Sequence, residues 1–214
     1  MTMSELKRIV TLTLAITPSG ALSPGPLSAM AVTAGLTLGA LGGILLAVGH
    51  MIAELPYVAF LYFSVDKAKK YLEKAKIPMN VTVSVFLLYF SYLLLQTAMQ
   101  ENPLATASRQ TTLGPLGAII AGAALTGLNP YFLMWWVTVG YPIVNEASET
   151  GHKGLAAMYS SHVWMDYAWL AILAAAGGVA GGTSILAYKG LMAGLAAVLL
   201  FFAVKTLIDT FKKK

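Results

Sequence analysis

The sequence contains no cysteine and few charged residues. The lack of cysteine excludes disulfide bonds, thiolate metal sites and thiol–disulfide electron transfer. Charged residues make up 11% of the 214 positions, against about 25% in an average soluble domain. Hydrophobic residues make up 57%, and the mean hydropathy is +0.72. This composition indicates a membrane protein, in which the net charge of +5 reflects orientation in the bilayer rather than nucleic-acid binding.

Long apolar stretches cover most of the chain. A helix needs roughly 20 apolar residues to cross a hydrocarbon core about 30 Å thick. The stretches are continuous, whereas a transmembrane strand alternates apolar and polar residues. We therefore predict an all-α polytopic membrane protein with one transmembrane domain. Its six predicted transmembrane helices cover residues 8–33, 39–63, 81–100, 115–139, 154–177 and 184–208.

Two of these stretches contain a histidine followed four residues later by a carboxylate. The pairs are His50 with Glu54 and His162 with Asp166. Residues four apart lie on one face of a helix, and an ionisable group at bilayer depth is by default a functional-site hypothesis. We predict that these residues couple transport to protons or bind a substrate ammonium group. A helix-packing salt bridge or hydrogen bond within each pair is the alternative.

Proline-containing segments interrupt the first and fourth stretches. Proline lacks an N–H and clashes with the carbonyl four residues before it. Broken backbone at membrane depth persists only where it is buried in protein or lines a polar cavity. The unpaired N–H groups of such a break favour a carboxylate. We predict helix breaks or substrate-binding positions at Ser23, Pro24, Gly25, Pro26, Asn129 and Pro130.

The two halves of the chain carry these features in the same order. In each half a broken helix comes first, a helix with a histidine–carboxylate pair follows, and a plain apolar helix closes the half. Three helices per half place the second copy in the opposite orientation, which is an inverted-topology repeat. That arrangement is typical of secondary transporters. The predicted organisation is repeat 1 over residues 1–100, a linker over 101–114 and repeat 2 over 115–214.

Three short motifs carry a resemblance to a known family. They are Ser23-Pro24-Gly25-Pro26, Leu128-Asn129-Pro130 and Gly49-His50. Together with six helices of similar length, these motifs resemble the LysE/RhtB-type translocators, the lysine and homoserine/threonine exporter family. The resemblance implies an inner-membrane exporter of amino acids or related small metabolites that is driven by the proton gradient and is often a homodimer. We expect no cofactor and no nucleic-acid partner.

Two other functions use the same residues. A divalent metal exporter could bind its ion with the two histidines and two carboxylates, which suit a borderline cation. A membrane enzyme could use Ser23 as nucleophile and His50 as base. No oxyanion donor or third catalytic member can be named for it, however. We therefore predict a transporter rather than an enzyme, with metal export as the alternative.

Lysines and tryptophans give two further predictions. Cytoplasmic loops hold the excess of Lys and Arg, so both termini are predicted to be cytoplasmic. Trp135 and Trp136 end the fourth stretch and are predicted to lie in an interfacial aromatic belt, with substrate contact as the alternative. The predicted orientation rests on basic residues that include Lys67, Lys69, Lys70, Lys74 and Lys76 on the cytoplasmic side, against Arg109 and Lys189 on the other side.

The glycine-rich segment 177–182 fits either a packed helix or a turn.

Overall fold

The computed structural model describes residues 1–105 and 114–212, with the backbone alone for 65–76. Throughout these ranges the chain is helical and contains no strand. The helices are α1 (Met3–Ile16), α2 (Pro18–Ala21), α3 (Pro26–Leu38), α4 (Ala40–Phe63), α5 (Val65–Met99), α6 (Pro115–Gly127), α7 (Pro130–Thr138), α8 (Tyr141–Glu149), α9 (His152–Thr183) and α10 (Ile185–Lys212).

Four helical segments are long and apolar enough to cross a membrane. They are α4, the part of α5 from Ile77 to Met99, α9 and α10. Helices α6 and α7 are together long and apolar enough for a fifth candidate span, bent by 58° at the break between them. Helix α3 is apolar but has only 13 residues. The structure thus confirms an all-helical architecture with four to five candidate membrane spans in the described residues, and the six-span inverted repeat stays a prediction.

Both predicted breaks are present in the backbone. Helix α3 begins at Pro26 after the extended residue Gly25, and α7 begins at Pro130 after the extended residue Asn129. Proline at the first helical position is well tolerated because the N–H that it lacks would have no partner in the helix. The Asn129 side chain accepts a hydrogen bond from the backbone N–H of Tyr131 at 3.0 Å. Each break is therefore the amino end of a new helix rather than a kink within one.

Glycines set how closely the helices of the two halves approach. Helix α4 packs along α6, α3 packs along α9, and α5 packs along α10. A Cβ at Gly49 would lie 1.9 Å from the backbone oxygen of Ile119, and one at Gly177 would lie 2.0 Å from that of Val32. Only glycine permits contacts this close between helix backbones. Because Gly177 packs in this way and α9 continues to Thr183, the glycine-rich segment is packed helix and not a turn.

The links between helices differ between the halves. A single residue, Gly39 with φ of 56°, joins α3 to α4. Helix α8 lies between α7 and α9, which lengthens the second half between its break and its histidine–carboxylate pair. The lysine distribution that predicts orientation falls partly outside the described residues. The basic residues outside the described part of the structure are Arg109, Lys213 and Lys214, together with the side chains of Lys67, Lys69, Lys70, Lys74 and Lys76.

Candidate functional site

The two histidine–carboxylate pairs form one cluster. Within the pairs, His50 Nε2 lies 3.2 Å from Glu54 Oε1 and His162 Nε2 lies 3.3 Å from Asp166 Oδ2. Across the halves, His162 Nε2 lies 3.3 Å from Glu54 Oε1 and His50 Nε2 lies 3.9 Å from Asp166 Oδ2. All four side chains are buried. Each imidazole therefore faces the carboxylates of both halves.

The cluster forms where α4 crosses α9. A Cβ at Gly43 would lie 2.0 Å from the backbone oxygen of Leu170, so the two helices touch through their backbones there. Asp166 lies one turn before Leu170, and His50 lies about two turns after Gly43. The four-residue spacing of each pair keeps both of its side chains on the contact face. Close packing through glycine thus brings four polar side chains to one point.

Glu54 is surrounded by hydrogen-bond donors. Trp136 Nε1 donates to Glu54 Oε1 at 3.0 Å, and the Tyr159 hydroxyl donates to Oε2 at 3.1 Å. His162 Nε2 also lies at hydrogen-bond distance from Oε1, at 3.3 Å. The residue is only 1% exposed. A buried carboxylate needs such partners because its transfer from water is costly, and bonds to a charged acceptor are stronger than neutral ones.

A threonine from a broken helix holds the outer nitrogen of each histidine. Thr126 in α6 contacts His50, with Oγ1 2.8 Å from Nδ1. Thr17, between α1 and α2, contacts His162, with Oγ1 3.0 Å from Nδ1. Each threonine belongs to the half opposite its histidine. These contacts orient both imidazole rings so that Nε2 points at the carboxylates, in the way that outer partners orient histidines in other sites.

A cavity adjoins the cluster and reaches both breaks. The space open to the centre of a water molecule is about 80 Å³, enough for a few water molecules or a small polar group. A Cβ at Gly25 would lie 4.0 Å from Asn129 Nδ2, so the two breaks face each other across this space. Pro26 and Pro130 begin their helices next to it. Predicted site residues that line the cavity are Ser23, Pro24, Gly25, His50, Glu54, Asn129, His162 and Asp166.

The prediction that Trp135 and Trp136 lie in an interfacial belt is wrong. Trp136 is 1% exposed and donates to Glu54, and Trp135 is 6% exposed and donates from Nε1 to Ser19 Oγ at 3.1 Å. The physical reason is that α7 starts at an internal break and packs within the protein, where the buried acid requires a donor. Their position one to two turns after Asn129-Pro130 was the available signal.

Sequence reasoning also missed three polar contacts of the cluster. Thr17 and Thr126 lie in apolar surroundings, where a lone threonine gives little functional signal, although Thr126 lies just before the break at Asn129. Tyr159 lies one turn before His162, and this spacing places its hydroxyl beside the acid of the other half. Such contacts link residues more than 70 positions apart, which no local pattern reports.

One comparison with known proteins gives a match. A family model described as LysE type translocator matches residues 18–210. No curated protein and no solved structure matches the chain. The matched region includes both breaks, both histidine–carboxylate pairs and the aromatic donors of α7.

Proposed function

Because the chain belongs to the LysE type translocator family, as its motifs indicated, we propose that it exports amino acids or related small metabolites across the cytoplasmic membrane. Membership identifies a small-molecule translocator, and family members are transporters rather than enzymes. With its long apolar helices, the chain is an integral membrane protein. The proposal adds the substrate class, the membrane and exchange against protons.

The observation that carries this proposal is the single buried cluster of two imidazoles and two carboxylates. Inserting one Asp at the centre of a membrane helix costs about 2.5–3.5 kcal/mol on translocon scales. Packing alone offers no reason for such a cost, since apolar side chains often pack as stably as a buried ion pair. A group that binds and releases protons does need this chemistry. The cluster also lines a cavity that reaches both helix breaks.

The cavity suits both ends of a zwitterion. The first N–H groups of a helix have no partner within it and favour an anion. Leu27 and Ser28 lie in the first turn of α3 and line the cavity, whereas the N–H of Ala29 already donates to Gly25 at 3.0 Å. A substrate carboxylate would bind at this helix end, and the substrate ammonium would bind at Glu54 or Asp166.

The helix pairing supports alternating access by an inverted repeat. In the proposed six-span arrangement, the broken helix of each half packs on the second helix of the other half, as α3 does on α9 and α6 does on α4. The plain helices α5 and α10 pack on each other. Such an exchange of partners is expected of two halves related by a pseudo-two-fold axis. We further propose cytoplasmic termini and assembly as a homodimer.

Export from proteoliposomes tests the proposal. The purified full-length protein is reconstituted, the vesicles are loaded with one radiolabelled amino acid at a time, and efflux is measured with and without an imposed pH gradient. We expect efflux of at least one amino acid to be accelerated when the outer compartment is acidic. Equal efflux from protein-containing and empty vesicles across the whole panel would contradict the proposal.

Divalent metal export is the second candidate, and one observation favours it. His50, Glu54 and Asp166 each offer a ligand atom within 4.8 Å of the others. Imidazole nitrogen and carboxylate oxygen together suit a borderline cation. Cells that express the protein should then gain resistance to cobalt, nickel or manganese. Resistance to toxic amino-acid analogues without resistance to these metals would instead favour the first function.

A further inference from the structure

We propose that the two carboxylates of the cluster have different roles. Glu54 is a fixed anion, whereas Asp166 Oδ2 and His50 Nε2 form an exchange point that holds either the coupling proton or the primary ammonium group of the substrate. Thr126 is a positioning residue that holds neutral His50 in the tautomer whose Nε2 can accept a proton or a hydrogen bond. This inference rests on the proposed function and specifies where in the site the exchange occurs.

The hydroxyl group of Thr126 determines which nitrogen of neutral His50 carries the hydrogen. Thr126 Oγ1 lies 2.7 Å from the backbone oxygen of Gly122 and 2.8 Å from His50 Nδ1. A hydroxyl has one hydrogen to donate, and a carbonyl oxygen can only accept. The hydrogen of Thr126 therefore belongs to the bond with Gly122. It follows that His50 donates its Nδ1–H to Thr126.

The other ring nitrogen of His50, Nε2, is then an acceptor. A neutral imidazole carries one N–H and one lone pair, and the bond made by one nitrogen sets the state of the other. With its hydrogen on Nδ1, neutral His50 presents a lone pair at Nε2. That lone pair points toward the carboxylates of the cluster. At Nε2, neutral His50 can thus accept a proton or a hydrogen bond from an N–H group, but it cannot donate a hydrogen bond from that nitrogen.

His50 Nε2 has no hydrogen-bond donor within the described residues. Among the described residues, His50 Nε2 and Asp166 Oδ2 are buried atoms without a hydrogen-bond partner. They lie 3.9 Å apart, and His50 Nε2 also lies 3.2 Å from Glu54 Oε1, so its lone pair faces both carboxylates. Buried polar atoms are normally paired, so two acceptors that face each other mark a place for a positively charged donor. A shared proton or an ammonium group meets that need.

Glu54 differs because its donors are already in place. Trp136, Tyr159 and His162 surround its two oxygens at 3.0 to 3.3 Å. Thr17 makes no second side-chain hydrogen bond within the described ranges, so its hydroxyl is free to donate to His162 Nδ1. Neutral His162 then carries its hydrogen on Nε2 and donates it to Glu54. His162 Nε2 lies 3.3 Å from Asp166 Oδ2 as well, but its one hydrogen in the neutral form bonds to Glu54, so the opposite tautomers leave Asp166 with fewer donors than Glu54.

The exchange conserves charge at the site. A proton shared by His50 Nε2 and Asp166 Oδ2 passes to water in the cavity as an R–NH₃⁺ group arrives, and that group donates N–H bonds to both atoms. One positive charge replaces another, so the carboxylates are never both left uncompensated. The occupant must have N–H donors. A trimethylammonium analogue of the same amino acid has the charge but no N–H group, and it should not displace the proton.

Histidine NMR tests the tautomers without relying on transport. The chain has three histidines, so ¹⁵N-histidine spectra of the full-length protein in nanodiscs can be assigned with single His→Gln variants. We expect neutral His50 as the Nδ1–H form and neutral His162 as the Nε2–H form. Thr126→Val should mix the two forms of His50, and Thr126→Ser should restore the wild-type form. Thr97→Val is the matched control, since Thr97 makes the same kind of backbone bond, to Leu93, away from the cluster.

Ligand and transport readings complete the test. An exported amino acid should shift the His50 Nε2 resonance, whereas its trimethylammonium analogue should not. Thr126→Val should raise the half-saturating substrate concentration for export at least tenfold and shift the pH profile, with Thr126→Ser near wild type and Thr97→Val unchanged. Export by the wild type with neutral His50 in the Nε2–H form would overturn this inference and leave the proposed function intact. The expected tautomers without export of any amine would overturn the proposed function instead.

Discussion

The two halves of the molecule contribute similar groups to the cluster, but the surroundings of their carboxylates differ. Each half has a broken helix that contributes a threonine to the opposite histidine, and each has a glycine-mediated contact between backbones. Glu54 of the first half, however, accepts from Trp136 and Tyr159 of the second, whereas Asp166 Oδ2 accepts no hydrogen bond from any residue that the structure describes. Both halves thus contribute a threonine, a histidine and a carboxylate to the cluster, and the side chains around the two carboxylates differ.

The largest expected effect tests whether the halves are equivalent in packing. Gly49→Leu and Gly177→Leu each place a side chain on a backbone carbonyl of the other half, and we expect both to abolish folded protein. Overpacking in a core already costs about 1–3 kcal/mol where the neighbours can adjust, and here the neighbour is backbone. The measurement is the yield of monodisperse protein by size-exclusion chromatography in detergent.

Gly194→Leu is the control for these variants, since nothing in the described structure lies within 4 Å of its added Cβ. It should give a wild-type yield. If Gly177→Leu folds normally while Gly49→Leu does not, the halves are not equivalent in packing.

The next effect separates the two acids. Glu54→Gln leaves three donors around a single acceptor oxygen, and we expect unfolding to become easier by about 3–5 kcal/mol, the usual cost of breaking a buried ionic network. Asp166→Asn should cost less than Glu54→Gln, because Asp166 Oδ2 accepts no hydrogen bond within the described chain, although His162 Nε2 lies 3.3 Å from it. Thermal melting in detergent measures both.

Export distinguishes these two variants in a second way. Both should lose efflux driven by a pH gradient, since neither neutral amide can complete the cluster. Equal melting temperatures for the two variants would contradict the division between a fixed and an open acid.

A smaller effect tests the donor from α7. Trp136→Phe keeps an aromatic ring but removes the N–H that reaches Glu54, and hydrogen bonds to charged groups contribute about 1.5–3 kcal/mol. We expect a lower melting temperature and weaker export. Trp164→Phe is the control because Trp164 is 52% exposed on the outer surface of α9. Wild-type stability of Trp136→Phe would show that Tyr159 and His162 suffice to hold Glu54.

The smallest effect concerns the extra helix of the second half. Arg8 in α1 forms an ion pair with Glu146 in α8, and the Arg8 side chain is 62% exposed. Exposed ion pairs contribute about 0–1 kcal/mol. We expect Arg8→Ala to change the melting temperature by no more than a degree or two. A larger loss would mean that α8 contributes to the stability of both halves.

Local chemistry explains which features were predictable. The breaks were predictable because a proline, such as Pro24, Pro26 or Pro130, restricts its own backbone whatever surrounds it. That each histidine and its carboxylate share one helix face was predictable because a spacing of four residues fixes it. The membrane architecture followed from long apolar stretches, although the first span, divided among α1, α2 and α3, does not meet the length expected of a span.

Contacts between distant residues explain what was not predictable. The donors of Glu54 come from α7 and α9, so the difference between Glu54 and Asp166 arises only when those helices pack. Trp136 was misplaced at the membrane surface for the same reason. A tryptophan suits both the membrane surface and a buried site that offers an acceptor for its N–H. Only the packing of Trp136 against the buried Glu54 distinguishes the two locations.

The single-residue joint between α3 and α4 has a consequence for motion. One residue spans at most about 3.6 Å, so the carboxyl end of α3 cannot slide along the amino end of α4 by more than a few ångströms. The carboxyl end of α3 therefore moves with the amino end of α4, the helix that carries His50 and Glu54. In the second half α8 lies between α7 and α9, so α7 is not tied in this way to the helix that carries His162 and Asp166. A movement of α7 would thus reach its histidine–carboxylate pair less directly than a movement of α3 would reach the other pair.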